Sequence, residues 1–295
     1  MLDNSKDVIN VLVITTNRSK TILKTLKSIH KNNCSELVIK LYDFKSEDET
    51  VSVVKKFLSD NNLDWTYNIL PFSLPECSEW QFALDDIEFG FVTFLEGDDY
   101  WPSNLILKVK SINREFPKIG LIHFAGHNER KAISKNCKDE FVLGSDYRNY
   151  YLMDNLNNTH APSETFFKIS PKTKHLKFEY VKYKYAPEPK FWLDISEFYN
   201  VYICNTLSIY RGISPNSNLK RQAIIDKFNF ASELILLNRN KKTNILFGIT
   251  YYLIRLYILV YLKKVFKGIE RFDISVINNG LILYFKTFKK IINDK

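Results

Sequence analysis

"FVTFLEGDDYWPSNLILK", residues 91–108, decides how the rest of the chain is read. Phe91–Leu95 is an uncharged run of β-branched, aromatic and aliphatic residues, the pattern of a buried strand. Glu96, Asp98 and Asp99 follow within four positions around Gly97, and a Tyr-Trp-Pro turn then leads into an apolar-periodic segment. Three like charges at the mouth of a core strand repel one another unless a cation neutralises them. The glycine between the acids is expected to let the backbone turn tightly, so that side chains 96 and 98 converge on one point. Oxygen ligands of this kind suit Mg²⁺ or Mn²⁺, which keep one or two protein carboxylates and complete their shell with water and substrate phosphates. An ion so held neutralises charge developing on a diphosphate leaving group. The plain alternative is a solvated acidic turn, and the strand before it and the helix after it weigh against that.

Upstream, residues 8–14 ("VINVLVI") read as a buried strand, followed by a turn and an amphipathic helix within "TTNRSKTILKTLKSIHKN". On that helix Ile22, Leu26 and Ile29 share one face, while Lys20, Lys24, Lys27 and Lys31 lie outward. A second strand at 36–44 ends in the acidic loop "DFKSEDET"; a helix "VSVVKKFLSDN", a strand within "WTYNILPF" and a helical stretch near 79–88 come next. Strands alternating with helices across short loops predict a doubly wound, parallel α/β sheet. Ligands of such sheets bind at the carboxyl ends of the strands, and both acidic clusters, 43–49 and 96–99, fall at such ends. From 120 to 215 the pattern is less regular, with strand-like "IGLIHFA", a polar stretch at 127–149, then "HAPSETFFKI", "APEPKFWLDISEFY" and "VYICNTLSIYRG".

Composition narrows the class. The 295 residues are 45% hydrophobic and 15% aromatic, too apolar for a disordered chain and ample for a full core. Four scattered cysteines form no C-x-x-C pair, so neither a zinc knuckle nor a disulfide framework is suggested. The polar start "MLDNSKDVIN" is expected to be no secretory leader, which points to the cytoplasm. Residues 239–295 hold 12 Lys/Arg against 3 Asp/Glu, so the net +9 resides there and the rest of the chain is neutral. Such a tail seeks an anionic surface. Within it "ILFGITYYLIRLYILVYL", residues 245–262, carries one charge, Arg255, and four tyrosines. Its length is at the low end for a membrane span, and a central Arg costs about 2.5–3.5 kcal/mol on insertion scales. Flanking lysines and a second apolar-basic segment suit helices lying in the headgroup region of an anionic leaflet; a packed helical cap or a homo-oligomer interface is the alternative. Nucleic acid is disfavoured as a partner, because the basic residues belong to an apolar tail and not to a polar face.

Several segments, in order, resemble the family 2 glycosyltransferases of the GT-A fold, especially bacterial members carrying "EGDDYW". "VLVITTNRSKTILKTLKSI" resembles the family's first strand, turn and helix. "LYDFKSEDET" resembles its second-strand loop, with Asp43, Ser46, Asp48 and Thr50 in register. "LEGDDYWPSNLILKVKSI" resembles its metal loop, and "HAPSETFFKI" and "LSIYRGISPNS" its later acceptor-side segments. The resemblance spans about 8–215 and implies a Rossmann-like, doubly wound mixed sheet. Residues 1–238 would form the catalytic domain, donor half about 1–120 and acceptor half about 121–238, with 239–295 as a helical, membrane-associating extension. It also implies a nucleotide-sugar donor, a UDP-sugar first among the candidates, bound near Thr15, Thr16, Asp43, Phe44, Glu96 and Asp98. Asp98 would be the principal ligand of Mn²⁺ or Mg²⁺, with Glu96 and Asp99 beside it, and Asp43 would accept a hydrogen bond from the base.

Departures from the family pattern bear on the donor. The aromatic residue that follows the first strand is Thr16 here, and the loop's second acid and glycine are Phe44 and Lys45. Phe44 is therefore expected to supply the missing stacking surface. Gln81 and Ala83 stand where the family has Asn and Gly.

Inverting sugar transfer needs a base for the attacking hydroxyl, a role a carboxylate fills. By resemblance Glu188, in "YAPEPKFWLDISEFY", occupies that place, with Phe191, Trp192 and Ile195 as the buried face of a helix. Its flanking prolines hold the backbone extended. Asp194 is the second candidate, inside the helical run. Arg211 resembles a family arginine near the site, able to bind phosphate or acceptor, with a structural ion pair as the alternative. His160 is expected to line the acceptor cleft, whereas His123 and His127 read as core and loop residues.

Together these readings predict a metal-dependent inverting glycosyltransferase, peripheral on the inner face of the cell membrane. It would use a glycan or lipid-linked acceptor in bacterial capsule or lipopolysaccharide assembly. The rivals are a nucleotidyltransferase acting on sugar phosphates, whose Gly-rich loop "TTNRSK" lacks, and a catalytically decayed glycan- or nucleotide-binding homologue.

Overall fold

The computed structural model describes residues 8–32, 34–75, 78–127, 138–154, 160–183 and 186–212. The expected tail, 239–295, lies outside the described residues. Among those described, no helix is long and apolar enough to cross a membrane.

The first half alternates as expected: β1 (Ile9–Thr15), α1 (Ile22–Lys31), β2 (Leu37–Phe44), α2 (Thr50–Asp60), β3 (Thr66–Leu70), α3 (Ser78–Leu84), β4 (Gly90–Glu96) and α4 (Leu105–Glu115). The second half is β5 (Ile119–His127), β6 (Glu140–Val142), α5 (Gly144–Asp154), β7 (Thr165–Ile169), α6 (Glu188–Ser196) and β8 (Asn200–Tyr210). Helix α5 arises in the polar stretch that the sequence left without an element; it has no apolar stripe, and Tyr147 and Tyr151 tie it to the core.

The eight strands form one sheet in the order β3-β2-β1-β4-β7-β5-β8-β6. Strands β1 to β4 are mutually parallel where they pair, and β5 is parallel to β8. Strand β7 enters antiparallel between β4 and β5, and β6 closes the far edge antiparallel to β8. The sheet is thus mixed. One consequence positions the site: the carboxyl ends of β1, β2, β4, β5 and β8 and the amino end of β7 share one edge.

Both faces are covered, which is why the strands read as near-continuous apolar runs. Strict alternation along β1 sends Ile9, Val11 and Val13 to one core with Ile22, Leu26 and Ile29 of α1, and Leu12 and Ile14 to the other. The second core is aromatic, with Phe94, Phe167, Phe178, Phe191 and Trp192 in mutual ring contact.

Candidate active site

The acidic loop after β4 is held by its backbone, and α1 does the holding. Thr21 Oγ1 donates to the Gly97 carbonyl at 2.9 Å and Thr25 Oγ1 to the Asp99 carbonyl at 2.7 Å. Ser28 Oγ accepts from the Trp101 amide at 3.1 Å, and Asn32 reaches the Pro102 carbonyl at 2.8 Å. Residues 25, 28 and 32 follow helical spacing, so one polar stripe of α1 faces the loop beside its apolar stripe. The sequence reading registered only the apolar stripe. The missed signal was these three short polar residues at i, i+3 and i+7 among the outward lysines.

Gly97 serves close approach and not a strained turn: a Cβ there would lie 2.6 Å from Thr15 Oγ1 and 3.1 Å from Arg18 Cγ. The loop thus lies directly on the β1–α1 turn, and Arg18 Nε reaches Asp98 Oδ2 at 3.7 Å. That turn is fastened in its own right to the β2–α2 loop. Asn17 Oδ1 accepts from the Glu47 amide at 2.8 Å, the Asn17 amide donates to Ser46, and Asp48 accepts from the amides of Ser19 and Thr50. Burial works against the Asp48 carboxylate, but these hydrogen bonds outweigh it and hold Asp48 below the usual carboxylate range.

Asp98 was expected as the principal ligand of a divalent ion, with Glu96 and Asp99 beside it. Among the described residues no group of three or more His, Cys, Asp or Glu side chains could hold a metal. Asp99 is committed elsewhere: 4% exposed, it accepts from the Gly212 amide at 2.7 Å and from Ser163. It joins the β4 loop to the end of β8 and is not a ready ligand. Asp98 differs. Its Oδ1 is buried and has no hydrogen-bond partner among the described residues, as is also true of the neighbouring Thr15 hydroxyl. A buried carboxylate oxygen in that state calls for a cation. Asp98 therefore fits a Mg²⁺ or Mn²⁺ that draws most of its ligands from water and phosphate oxygens. Burial, with Asp99 and Asp98 nearby, raises Glu96 well above the usual carboxylate range, and burial raises Asp99 too. Both shifts come first from burial, to which neighbouring carboxylates add.

The donor-side expectations separate. Thr16 Oγ1 donates to the carbonyls of Thr15 and Phe44 at 2.9 and 3.2 Å and ties β1 to β2. Asp43 is fully buried and caps its strand: Oδ1 accepts from the Ser46 amide at 2.7 Å and Oδ2 from the Tyr67 hydroxyl at 3.4 Å. Phe44 does not offer a stacking surface. Its ring is wholly buried against Phe82, because position 44 shares the parity of Tyr42 on the core face of β2.

The acceptor-side expectations also separate. His160 is buried and stacks on His123 with centroids 4.2 Å apart, donates from Nδ1 to the Phe124 carbonyl, and accepts from Trp192 Nε1 through its own carbonyl. It builds the core beneath the cleft and does not line it. His123 lies in the same stack, bonded to Thr165 and Tyr147, and burial together with His160 lowers its pKa well below the usual value. That agrees with its reading as a core residue.

Glu188 opens α6 behind Pro187, itself in the helical region, so the backbone is not held extended as expected; Pro189 lies in the first turn, and Glu188 is 7% exposed. Asp194 pairs with Lys190 at 2.6 Å in the helix interior, the structural reading of that residue. Arg211 follows β8 directly. Burial would lower its pKa, but the surrounding carboxylates Glu164, Asp99, Glu96 and Glu188 outweigh that and raise it. One guanidinium thus lies within electrostatic reach of carboxylates from β4, from the start of β7 and from α6. Tyr100 and Tyr210 lock the two sides together, exchanging backbone hydrogen bonds with rings stacked 4.6 Å apart, and Lys24 sits 3.7 Å over Tyr100.

The α/β fold that presents this edge is that of GT-A glycosyltransferases, as the sequence led us to expect. The chain superposes on S. aureus TarS 1–349 in complex with UDP-GlcNAc with a TM-score of 0.62 at 16% identity, over 81% of this chain and 69% of that one. Against the longer S. aureus TarS the TM-score is 0.60 at 17% identity, and the match covers 41% of that chain. The mannosyltransferase PcManGT of Pyrobaculum calidifontis, in complex with GDP-Man and Mn²⁺, gives a TM-score of 0.56 at 14% identity over 99% of this chain and 89% of its own. At such identities the likeness is one of fold. No protein-family model matches the sequence, and no curated relative matches it.

Proposed function

We propose that the protein is an inverting glycosyltransferase that moves a sugar from a nucleotide diphosphate donor to a hydroxyl of a glycan or lipid-linked acceptor. The observation that carries this reading is the single sheet edge where the orphaned Asp98 oxygen, Arg211 and the buried Glu188 come from three different elements. The two kinds of structural neighbour, solved with UDP-GlcNAc and with GDP-Man and Mn²⁺, support a sugar nucleotide as the ligand class.

In this reading Asp98, with Glu96 beside it, would hold a divalent cation, and such an ion would offset negative charge on the departing diphosphate. Glu188 takes the proton of the attacking hydroxyl as the new glycosidic bond forms on the face opposite the leaving group, so the anomeric configuration inverts. Glu188 stands buried in the first turn of α6, which fixes where its carboxylate sits. Arg18 and Arg211 supply positive charge on either side of the acidic loop, fixed in place before the reaction. Thr15, Thr16 and Asp43 shape the donor side: Thr16 ties β1 to β2, Asp43 holds the β2–α2 loop, and the Thr15 hydroxyl is left open. The basic segment 239–295 holds the enzyme to the anionic inner face of the cell membrane, where acceptors for surface polysaccharides such as capsule or lipopolysaccharide are assembled.

The test is thermal stabilisation of the full chain by a panel of UDP-, GDP- and dTDP-sugars with Mn²⁺, followed by assay of the responding donor for metal-dependent hydrolysis and transfer. One donor should raise the melting temperature and be turned over. A panel in which none does either would reject the reading. Release from membranes by high salt is expected for the tail, whereas a need for detergent would replace surface binding with a span.

A further inference from the structure

Glu164 played no part in the sequence reading, yet it is among the most constrained residues of the site. It ends a 3-10 turn, Pro162–Glu164, directly before β7, and its side chain is 6% exposed. Both carboxylate oxygens are engaged: Oε2 accepts from the Ala161 amide at 2.9 Å, and Oε1 lies 3.4 Å from Arg211 Nε. The neighbouring strand makes room for it. A Cβ at Gly126 of β5 would fall 1.9 Å from Glu164 Oε1, so no other residue fits there without expelling the carboxylate. A carboxylate this buried is tolerated only with a well-placed partner. Here the geometry serves Arg211, whose own side chain is 44% exposed and whose ion-pair partner among the described residues is Glu164.

Asp98, the residue fit for a cation, has a different guanidinium for its neighbour. Its ion pair is with Arg18 at 3.7 Å, longer than a strong charge-assisted bond. Arg211 directly precedes Gly212, where a Cβ would lie 2.4 Å from Asp98 Oδ2, and it also feels the charges of Glu96, Asp99 and Glu188. A guanidinium freed from Glu164 would be drawn toward the same negative strand end and would compete with an incoming cation.

We propose that Glu164 is a positioning residue, which holds Arg211 in an ion pair and keeps it off Asp98, so that Asp98 stays open to a cation. Gly126 is the second half of the device, since it gives Glu164 its place. The inference rests on the glycosyltransferase reading given above and adds a residue to it.

The test reads Mn²⁺ binding to the full chain by titration calorimetry with UDP present, and with GDP in parallel, and does not depend on turnover. Glu164→Gln keeps the shape and removes the charge, and should weaken Mn²⁺ binding about tenfold. Glu164→Gln combined with Arg211→Gln should bind Mn²⁺ better than Glu164→Gln alone, because the competing guanidinium is gone. A purely structural role for Glu164 would leave the double variant no better than the single one. Glu164→Gln that binds Mn²⁺ as tightly as the unaltered chain, or a double variant without recovery, overturns the proposal. Should Glu164→Gln not fold, Gly126→Ala with and without Arg211→Gln makes the same comparison. If the unaltered chain itself binds no Mn²⁺ with either nucleotide, the functional reading falls first, and the inference with it.

Discussion

Two aspartates, Asp139 and Asp98, show how the same side chain can be spent on structure or kept for chemistry. Asp139, just before β6, is satisfied throughout. Its Oδ1 accepts from the amides of Asn205 and Thr206 at 2.9 and 3.0 Å and from the Thr206 hydroxyl at 2.8 Å, while its Oδ2 accepts from Lys108 at 2.9 Å and Tyr202 at 3.1 Å. These bonds pin β8 where its register against β5 shifts, between the pairs at Phe124 and Ala125. Asp98 has a comparably buried side chain, a single long ion pair and one oxygen with no hydrogen-bond partner among the described residues. A fold that can satisfy one aspartate so fully, and leaves another wanting at the carboxyl ends of its strands, makes the second the residue on which to test for a ligand.

The contrast can be broken in both directions. Asp98→Asn keeps the shape and removes the charge that would hold a cation, so metal-dependent donor turnover should fall about a thousandfold with the melting temperature little changed. Turnover that survives this substitution would return Asp98 to the structural class. Glu188→Gln should lower transfer about a hundredfold or more and leave donor binding within about twofold, the split expected of a base; equal losses in binding and rate would argue instead for a packing role. Asp139→Asn should do the reverse of Asp98→Asn. It leaves amides and Lys108 facing an amide group, at a cost of about 2–3 kcal/mol in denaturant unfolding, with the activity of the folded fraction retained.

The smallest effect concerns acid. Burial works to raise the Asp139 pKa, but Lys108 and Thr206 outweigh it and hold it at about 2, below the ordinary 3.8. A depressed folded-state pKa gives stability that is present above the unfolded value and is lost as pH falls through the folded one. About 2 kcal/mol should therefore disappear between about pH 4 and pH 2, and the stability gap between the unaltered chain and Asp139→Asn should narrow across that window. A gap that stays constant there would show that the lowered pKa is not the source of the stability.

Much of the first half was legible because its signals are local. The uncharged run at 91–95, the alternation in β1 and the apolar stripe of α1 each lie within one element, and strand–helix alternation then leaves few topologies. The acidic loop stood out for the same reason: "EGDD" after a buried strand is contiguous. The antiparallel entry of β7 was not legible, since pairing partners more than forty residues apart leave no periodic mark. Nor was helix α5, whose polar surface lacks an amphipathic stripe.

Residue types alone determined that an aspartate-rich turn would stand at a sheet edge and that His123 would belong to a core. Only tertiary structure decided that Asp99 serves the Gly212 amide, that Phe44 turns inward, and that Glu164, unremarked in the sequence, meets Arg211 where Gly126 leaves it space. The physical reason is the same in each case. A carboxylate's role is set by which donors and charges surround it in a medium of low polarity, and those neighbours come from strands and loops far apart along the chain.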